Sequence, residues 1–188
     1  MHAVEILRRL VVGRASSFPY IGEPLSVGAH LVRAARGAEE AGHPRPLVHA
    51  ALFHDVGHLI APDDTGGAGA SDHARVGACF LRGLGFPERT CRAVELHVDA
   101  KRYLVGGDPF YALTPASART LGYQGGPMVC AAERASFEGD PAFADALALR
   151  SLDDTGKCGD LDPTELATHW LDFVPGLLEA IAETEKKT

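Results

Sequence analysis

The chain has 188 residues, 46% of them hydrophobic and 23% charged, with a formal net charge of −7. This length suits one domain with a single core, and the composition excludes wholesale disorder. The acidic balance argues against a general nucleic-acid binder, because such proteins carry a basic face. No apolar run approaches the roughly 20 residues of a membrane-spanning helix, and the N-terminal segment lacks a signal-peptide layout. We therefore expect a soluble, cytoplasmic protein.

Helical periodicity dominates the first half of the chain. A short amphipathic helix is predicted over residues 3–13 and a second over about 25–40, before Gly42. A strongly apolar third helix is predicted to continue through residues 47–60, until Pro62.

Turn residues dominate positions 61–71, and helices are predicted to follow over about 71–84 and 87–102. Residues 104–126 are rich in Gly, Pro and Ser, which predicts an ordered active-site loop with at most a short helix. Three further helices are predicted over about 127–137, 141–151 and 163–186. Since no segment shows sustained strand alternation, the sequence predicts an all-α fold in a single domain.

The nine histidines are the unusual part of the composition. His54 and Asp55 stand side by side in the apolar segment FHDVGH. Burying an imidazole beside a carboxylate is costly unless a partner satisfies both, and a metal ion does so. Neighbouring side chains on a helix point about 100° apart, so Asp55 bridging two metals fits this geometry.

Further candidate ligands come one at a time from separate predicted helices. His30 precedes the pair, His73 and His97 follow it, and Asp153 comes much later. Ligands that converge in the core of a helical bundle have this distribution. A single helical histidine is more often a solvated residue, so the joint pattern carries the prediction. The histidines without such company are interpreted as ordinary: His2, His43, His49 and His169.

This order of histidines and aspartates resembles that of the HD-domain superfamily, an all-helical metal-dependent fold. The resemblance implies a helical bundle with a dinuclear site in its core. It also implies a partition of ligands: His30, His54, Asp55 and Asp153 on one metal, and Asp55, His73 and His97 on the other. Asp154 is the neighbouring alternative to Asp153 as the last ligand. Most proteins with the HD pair are phosphohydrolases.

Further motifs point away from hydrolysis. The segment Tyr20-Ile-Gly-Glu23 precedes His30, His58 follows the HD pair by one helical turn, and Lys101 follows His97 by one turn. Three more segments are YALTPAS from position 111, QGGPM from 124 and LRSLDDTGK from 149. Together these resemble the mixed-valent di-iron oxygenases of the superfamily, of the 2-amino-1-hydroxyethylphosphonate dioxygenase type, over about residues 17–160.

The resemblance implies roles for the residues around the metals. Tyr20 and Glu23 match the pair that caps the second iron until substrate displaces it. The implied contacts to an organophosphonate are His58, Lys101, Ser117, Gln124, Arg150 and Lys157. The implied cofactor is an Fe(II)/Fe(III) pair, with O₂ as co-substrate. Four neutral imidazoles and two carboxylates leave this pair with a net positive charge, which reconciles an anionic ligand with an acidic protein.

The implied activity is oxidative cleavage of the carbon–phosphorus bond of a small 1-hydroxyphosphonate to phosphate and a carboxylic acid such as glycine. The partner is a small molecule, with no nucleic acid or membrane, and the chain is expected to be a monomer or weak homodimer. The alternative is an HD phosphohydrolase acting on a small phosphate ester or nucleotide. A third possibility is a ligand-sensing protein without enzymatic activity. The complete set of candidate metal ligands argues against it.

Overall fold

The structure, a computed structural model, describes residues 6–157 apart from residues 8, 21 and 23. The helix predicted over 163–186 and the candidate Glu23 lie outside the described residues, as does the start of the helix predicted over 3–13. The described part is helical and contains no β-strand beyond one isolated bridge between Pro19 and Ser26, which confirms the all-α prediction. None of its helices is both long and apolar enough to cross a membrane.

Within the described residues, a π-helical segment, Arg9–Ala15, precedes eight α-helices. In chain order these are α1 (Val27–Glu40), α2 (Arg45–Phe53), α3 (Gly57–Ile60), α4 (His73–Gly83), α5 (Glu88–Gly107), α6 (Pro115–Tyr123), α7 (Ala131–Glu138) and α8 (Phe143–Thr155).

The prediction of one continuous third helix is wrong at the HD pair. The helical backbone dihedrals continue, with φ −58° and ψ −35° at His54. The hydrogen bonds, however, change to a three-residue spacing: Val56 N donates to Phe53 O and His58 N to Asp55 O, both at 3.0 Å. A turn of about three residues separates successive side chains by about 120°, so it spreads His54 and Asp55 further apart around the axis.

Gly57 begins α3 because another backbone lies against it. A Cβ at this position would come within 2.0 Å of the His73 carbonyl oxygen and 2.7 Å of its carbonyl carbon. The starts of α3 and α4 are therefore in backbone contact, which brings His73 close to Asp55. This tertiary contact accompanies the break in the predicted helix.

We expect Gly57→Ala to lower the free energy of unfolding of the metal-free protein by about 2–3 kcal/mol, because α3 and α4 must move apart. Gly83→Ala is the matched control, since a Cβ there meets no atom within 4 Å. The control is expected to be neutral or stabilising by up to about 1 kcal/mol, because alanine favours the helix. Urea unfolding of both variants measures the difference, and equal stability would contradict the close contact.

One helix extends further than predicted into the region 104–126, and the short helix allowed there is present. The helix predicted to end near residue 102 continues to Gly107, since Gly106 packs against the Met128 backbone. The predicted loop contains the nine-residue helix α6. The Thr114 hydroxyl caps α6 by accepting the Ser117 amide at 3.2 Å, and Pro115 occupies its first turn.

The helices pack so that five backbone segments face one buried point. Helix α5 packs against α2, α4 and α8, while α1 packs against α2 and α8. Helix α8 extends to Thr155, beyond the predicted end at 151, and so carries Asp153. The largest fully buried apolar side chains of this core include Leu31, Leu52, Phe53, Leu59, Leu81 and Leu149. The core therefore holds the candidate ligands on separate, mutually packed elements.

Candidate metal centre

The six predicted ligands lie together in the core. Each is buried, with no more than 4% of its surface exposed. They come from α1, the turn after α2, α4, α5 and α8: His30, His54, Asp55, His73, His97 and Asp153. The four histidines predicted to be ordinary take no part in this cluster where they are described, and His2 and His169 lie outside the described residues.

The two carboxylate oxygens of Asp55 face different pairs of histidines. Its Oδ2 lies 3.8 Å from His30 Nε2 and 3.6 Å from His54 Nε2. Its Oδ1 lies 3.3 Å from His73 Nε2 and 3.7 Å from His97 Nε2. A carboxylate placed in this way can bridge two cations, one on each side.

The last aspartate joins only the first of these groups. Asp153 Oδ1 lies 3.2 Å from His30 Nε2 and 3.8 Å from His54 Nε2. The neighbouring Asp154 has 28% of its side chain exposed and contacts Arg150 and Tyr111 instead. Of the two aspartates, the structure therefore places Asp153 in the cluster.

Backbone carbonyls orient three of the histidines. His54 Nδ1 lies 2.8 Å from Ala51 O, His73 Nδ1 3.0 Å from Ala70 O, and His97 Nδ1 2.7 Å from Val94 O. A carbonyl oxygen only accepts, so Nδ1 must carry the proton and a neutral ring keeps a lone pair on Nε2. These are the tautomers in which Nε2 can bind a metal.

The same tautomers leave nitrogen lone pairs facing each other. His73 Nε2 and His97 Nε2 are 3.1 Å apart, and His30 Nε2 and His54 Nε2 are 3.0 Å apart. In the neutral state His73 and His97 have no proton to place between these nitrogens, so their lone pairs repel. A cation beside His73 and His97 removes this repulsion, and His54 Nε2 offers a lone pair on the other side of Asp55. The donor set of imidazole nitrogen and carboxylate oxygen therefore fits a pair of metal ions.

His58 has the opposite tautomer. The Ala70 amide donates to His58 Nδ1 at 3.2 Å, so a neutral His58 carries its proton on Nε2. Burial and the neighbouring His73 lower the pKa of His58 to about 3, which keeps it neutral. Its ring stacks on His73 at 3.9 Å. Although Asp55, His58 and His73 are close enough to hold a metal, this tautomer suits a hydrogen-bond donor to a ligand.

A cavity of about 50 Å³ lies against the cluster. It is lined by Asp55, His73, His97 and Asp153, and by all the described residues that were predicted to surround the metals: Tyr20, His58, Lys101, Ser117, Gln124, Arg150 and Lys157. A second cavity, of about 580 Å³, shares a wall of Phe18, Tyr20 and His58 with the first. The structure thus brings the predicted substrate side and metal side to one place.

Tyr20 is held at the cavity by the backbone around it. Its amide donates to Leu25 O at 2.9 Å, and the Val27 amide donates to Phe18 O at 2.9 Å. Its ring stacks on that of His30 at 4.3 Å. Burial raises the pKa of Tyr20 well above its usual value, and the negative charge of the two cluster aspartates raises it further, so the phenol is neutral.

Lys101 is a buried cation whose hydrogen-bond partners are neutral oxygens. Its ammonium donates to Thr120 Oγ1 at 3.2 Å and to Gln124 Oε1. It forms no ion pair with a carboxylate in the part of the chain that the structure describes. Burial and the positive charge of Arg150 lower the pKa of Lys101 to about 8. A buried charge of this kind is stabilised by an anionic ligand.

Arg150 and Lys157, by contrast, already have acidic partners. Arg150 forms ion pairs with Asp153 and Asp154. Lys157 Nζ lies 2.8 Å from Asp153 Oδ1 and 3.3 Å from Asp154 Oδ1. Of the cationic side chains that line the cavity, Lys101 therefore has the least compensated charge.

Sequence reasoning missed Thr120, which contacts the Lys101 ammonium. Thr120 lies three residues after Ser117, so the two share one face of α6, and Gln124 directly follows that helix. This helical spacing was the available signal, and the Gly- and Pro-rich composition of the region obscured it.

Comparison with known proteins agrees with this geometry. A family model described as HD domain matches residues 24–124, more than half of the chain. The chain belongs to the HD-domain family. The matched range of this family includes His30, the His54-Asp55 pair, His73 and His97, and it ends before Asp153.

Individual HD-domain relatives cover most of the chain. It is 36% identical over 162 residues to the 1-hydroxy-2-(trimethylamino)ethylphosphonate dioxygenase (glycine-betaine-forming) of Leisingera caerulea, covering 81% of this chain and 79% of that protein. It is 37% identical over 146 residues to a hydroxymethylphosphonate dioxygenase of Gimesia maris, covering 74% and 72%. A protein of Acanthamoeba polyphaga mimivirus whose name states no activity is 40% identical over 144 residues, covering 73% and 65%.

Proposed function

We propose that this HD-domain protein is an O₂-dependent oxygenase that cleaves the carbon–phosphorus bond of a small 1-hydroxyphosphonate. The observation that carries the proposal is the buried Lys101 ammonium, which lacks a carboxylate partner in the described residues and lines the same cavity as the histidine–aspartate cluster. A phosphonate supplies the missing negative charge. Two relatives, 36% and 37% identical, are named as dioxygenases of hydroxyphosphonates.

The cluster is proposed to hold an Fe(II)/Fe(III) pair. His30, His54 and Asp153 would hold one iron, His73 and His97 would hold the other, and Asp55, whose two oxygens face different histidine pairs, would be shared between them. Four neutral imidazoles and two carboxylates supply two negative charges, so the pair keeps a net positive charge that attracts an anion. When bound, the iron pair supplies the redox chemistry of dioxygen.

The chain's own residues would bind and orient the phosphonate. Lys101 donates charge-assisted hydrogen bonds to its oxygens, and Gln124 holds the Lys101 ammonium in place. His58 donates from Nε2, because its Nδ1 is occupied by the Ala70 amide. Ser117 lines the same cavity and offers a hydroxyl.

Tyr20 and Glu23 are proposed to cap the second iron until the substrate arrives. The neutral Tyr20 phenol lines both cavities, so a ligand entering from the larger one passes it. Glu23 lies outside the described residues, and its role rests on the motif that it forms with Tyr20. Displacement of this pair by substrate would couple dioxygen binding to the presence of the phosphonate.

The proposed reaction needs no external reductant. For 2-amino-1-hydroxyethylphosphonate, one substrate and one O₂ give glycine and phosphate, with every atom of both reactants present in the products. The carbon that bears the hydroxyl becomes the carboxyl carbon, and its bond to phosphorus breaks. The substituent on that carbon distinguishes the named substrates of the relatives, and the phosphate-release assay compares phosphonates that differ there.

A phosphohydrolase acting on a nucleotide fits the cavity less well. The space against the cluster, about 50 Å³, is smaller than the roughly 300–1,000 Å³ of sites for larger ligands, so a nucleotide would have to extend past Tyr20 into the adjoining cavity. A small phosphate ester fits the space, so the experiment must separate oxygenation from hydrolysis.

The test is phosphate release by the iron-loaded protein with and without O₂. The substrates are hydroxymethylphosphonate, 2-amino-1-hydroxyethylphosphonate and its trimethylammonio analogue, with p-nitrophenyl phosphate as the hydrolase probe. We expect one phosphate per O₂ consumed from at least one phosphonate and none under nitrogen. Phosphate release from the ester alone, independent of O₂, would replace the proposal with hydrolysis.

A further inference from the structure

The hydroxyl of Tyr111 joins two charged groups next to the histidine–aspartate cluster. Tyr111 lies between α5 and α6, and its hydroxyl accepts a hydrogen bond from Arg150 Nε at 2.8 Å. The same hydroxyl donates to Asp154 Oδ2. Tyr111 and Asp154 have no role in the proposed ligand set or substrate contacts, so their connection to Arg150 requires an explanation.

Arg150 uses each of its three nitrogens on a different partner. Nε donates to Tyr111, Nη2 to Asp154 Oδ1, and Nη1 to Asp153 Oδ2. Only 2% of Arg150 is exposed. Because the guanidinium is a rigid planar fork, fixing Nε and Nη2 also fixes the direction in which Nη1 points. That direction is toward the carboxylate of Asp153.

The hydrogen bonds of the Tyr111 hydroxyl join two parts of the chain that both contribute residues to the cavity lining. Tyr111 stands four residues before Pro115, the first residue of α6; Ser117 lies on α6 and Gln124 directly follows it. Arg150, Asp153 and Asp154 are all on α8. The hydroxyl of Tyr111 therefore links the segment that leads into the phosphonate side to the helix that carries a candidate metal ligand.

We infer that Tyr111 and Asp154 are positioning residues, which hold the Arg150 guanidinium and through it the Asp153 carboxylate. The inference rests on the proposed metal centre. Outer partners of metal ligands typically change metal affinity by about 10–100-fold when they are removed. Since Asp153 faces His30 and His54 and not the other histidine pair, the effect falls on one metal of the two.

The first experiment compares Tyr111→Phe with Tyr103→Phe. Tyr103 also donates its hydroxyl to a carboxylate, Glu138 Oε1 at 2.7 Å, but on the exposed surface. Metal-free protein is titrated with Fe(II) under nitrogen against a competing chelator. Tyr111→Phe is expected to lose at least about tenfold in affinity for one iron and to keep the other. Tyr103→Phe is expected to bind both like the wild type.

Asp154→Asn provides a second variant, which also decides the matter if Tyr111→Phe does not fold. It is expected to weaken the same iron, because an amide is uncharged and has one acceptor oxygen, so it cannot accept from both Arg150 Nη2 and the Tyr111 hydroxyl. Since both residues contact Arg150, the double variant should lose much less affinity than the sum of the two single losses, although Asp154 also lies 3.3 Å from Lys157 Nζ. Fully additive losses would overturn the idea of a shared unit.

The outcomes separate the two proposals. Wild-type protein that binds fewer than two irons per chain contradicts the metal centre itself. Wild-type protein that binds two irons, beside a Tyr111→Phe or Asp154→Asn variant with unchanged affinity for both, leaves the metal centre standing and overturns the positioning role. Equal weakening of both irons also overturns it, since a general loss of structure would act in that way.

Discussion

The Asp55→Ala variant is expected to bind fewer than two irons per chain and to lose phosphate release by at least about 10³-fold. The reason is that each oxygen of Asp55 faces a different histidine pair, so one substitution removes a ligand from both proposed subsites. In the variant, His73 and His97 are the only residues of the cluster left to hold the second iron. Iron analysis of the reconstituted variant, together with the phosphate assay, measures both effects.

Asp145→Ala is the matched control for this experiment. It also removes a carboxylate from a helix, but Asp145 pairs with Arg89 at the surface, 2.6 Å from its Nε. The control should keep two irons and full activity, because surface ion pairs contribute little to stability. Retention of two tightly bound irons by Asp55→Ala would contradict the proposed bridge.

Lys101→Met is expected to lower kcat/KM for the phosphonate by about 10²-fold, chiefly through KM, because a charge-assisted contact to the ligand is lost. The free energy of unfolding of the metal-free protein should not fall, since the substitution removes a buried charge that lacks an acidic partner in the described residues. Loss of function without loss of stability distinguishes a ligand contact from a structural lysine.

Arg102→Met is the control for Lys101→Met, because the neighbouring Arg102 already pairs with Asp99 at 2.9 Å and Glu133 at 2.8 Å. It should leave kcat/KM within about twofold of the wild type, while any change falls on stability, because Arg102 is mostly buried and its Nε also donates to Gly126 O at 3.0 Å. The reverse pattern, with Arg102→Met impairing phosphonate turnover more than Lys101→Met, would contradict the assignment of the anion site.

The Lys101 ammonium also predicts a pH dependence. Its pKa is lowered to about 8, so the fraction that is charged falls as pH rises through that value. In the unfolded chain the pKa returns to about 10.4, so between the two values the unfolded state binds more protons and stability rises with pH. We expect kcat/KM to fall as the pH rises above about 8. In the Lys101→Arg variant this alkaline fall in kcat/KM should be absent, because arginine stays charged. If kcat/KM of that variant still falls above about pH 8, the fall is due to another titrating group.

The helix order and the six candidate ligands could be predicted because each depends on local pattern. His30, His73 and His97 each stand in a separate amphipathic segment, and the His54-Asp55 pair interrupts an apolar one. These features need no knowledge of which helices pack together. The structure then brings the six side chains to one point, and their roles on the metals remain predictions to be tested by iron binding.

The features that sequence reasoning missed depend on tertiary contacts. The break at His54 accompanies the Gly57 backbone lying on that of His73, sixteen residues away in a segment separated by a loop. The pairing of Arg150 depends on Tyr111, 39 residues earlier. Local composition predicted at most a short helix in the region of α6 but not the position of that helix, which depends on packing.

The carbonyls that orient the histidines have a consequence for how this protein can diversify. His54, His73 and His97 each bond to the backbone oxygen three residues earlier in their own segment. The directions of these rings therefore depend on main-chain geometry, which substitutions of nearby side chains leave largely intact. The residues around the ligand can therefore be substituted while the three imidazole rings keep their orientation. Substitutions around the cavity could thus change which phosphonate is preferred without altering the proposed metal ligands.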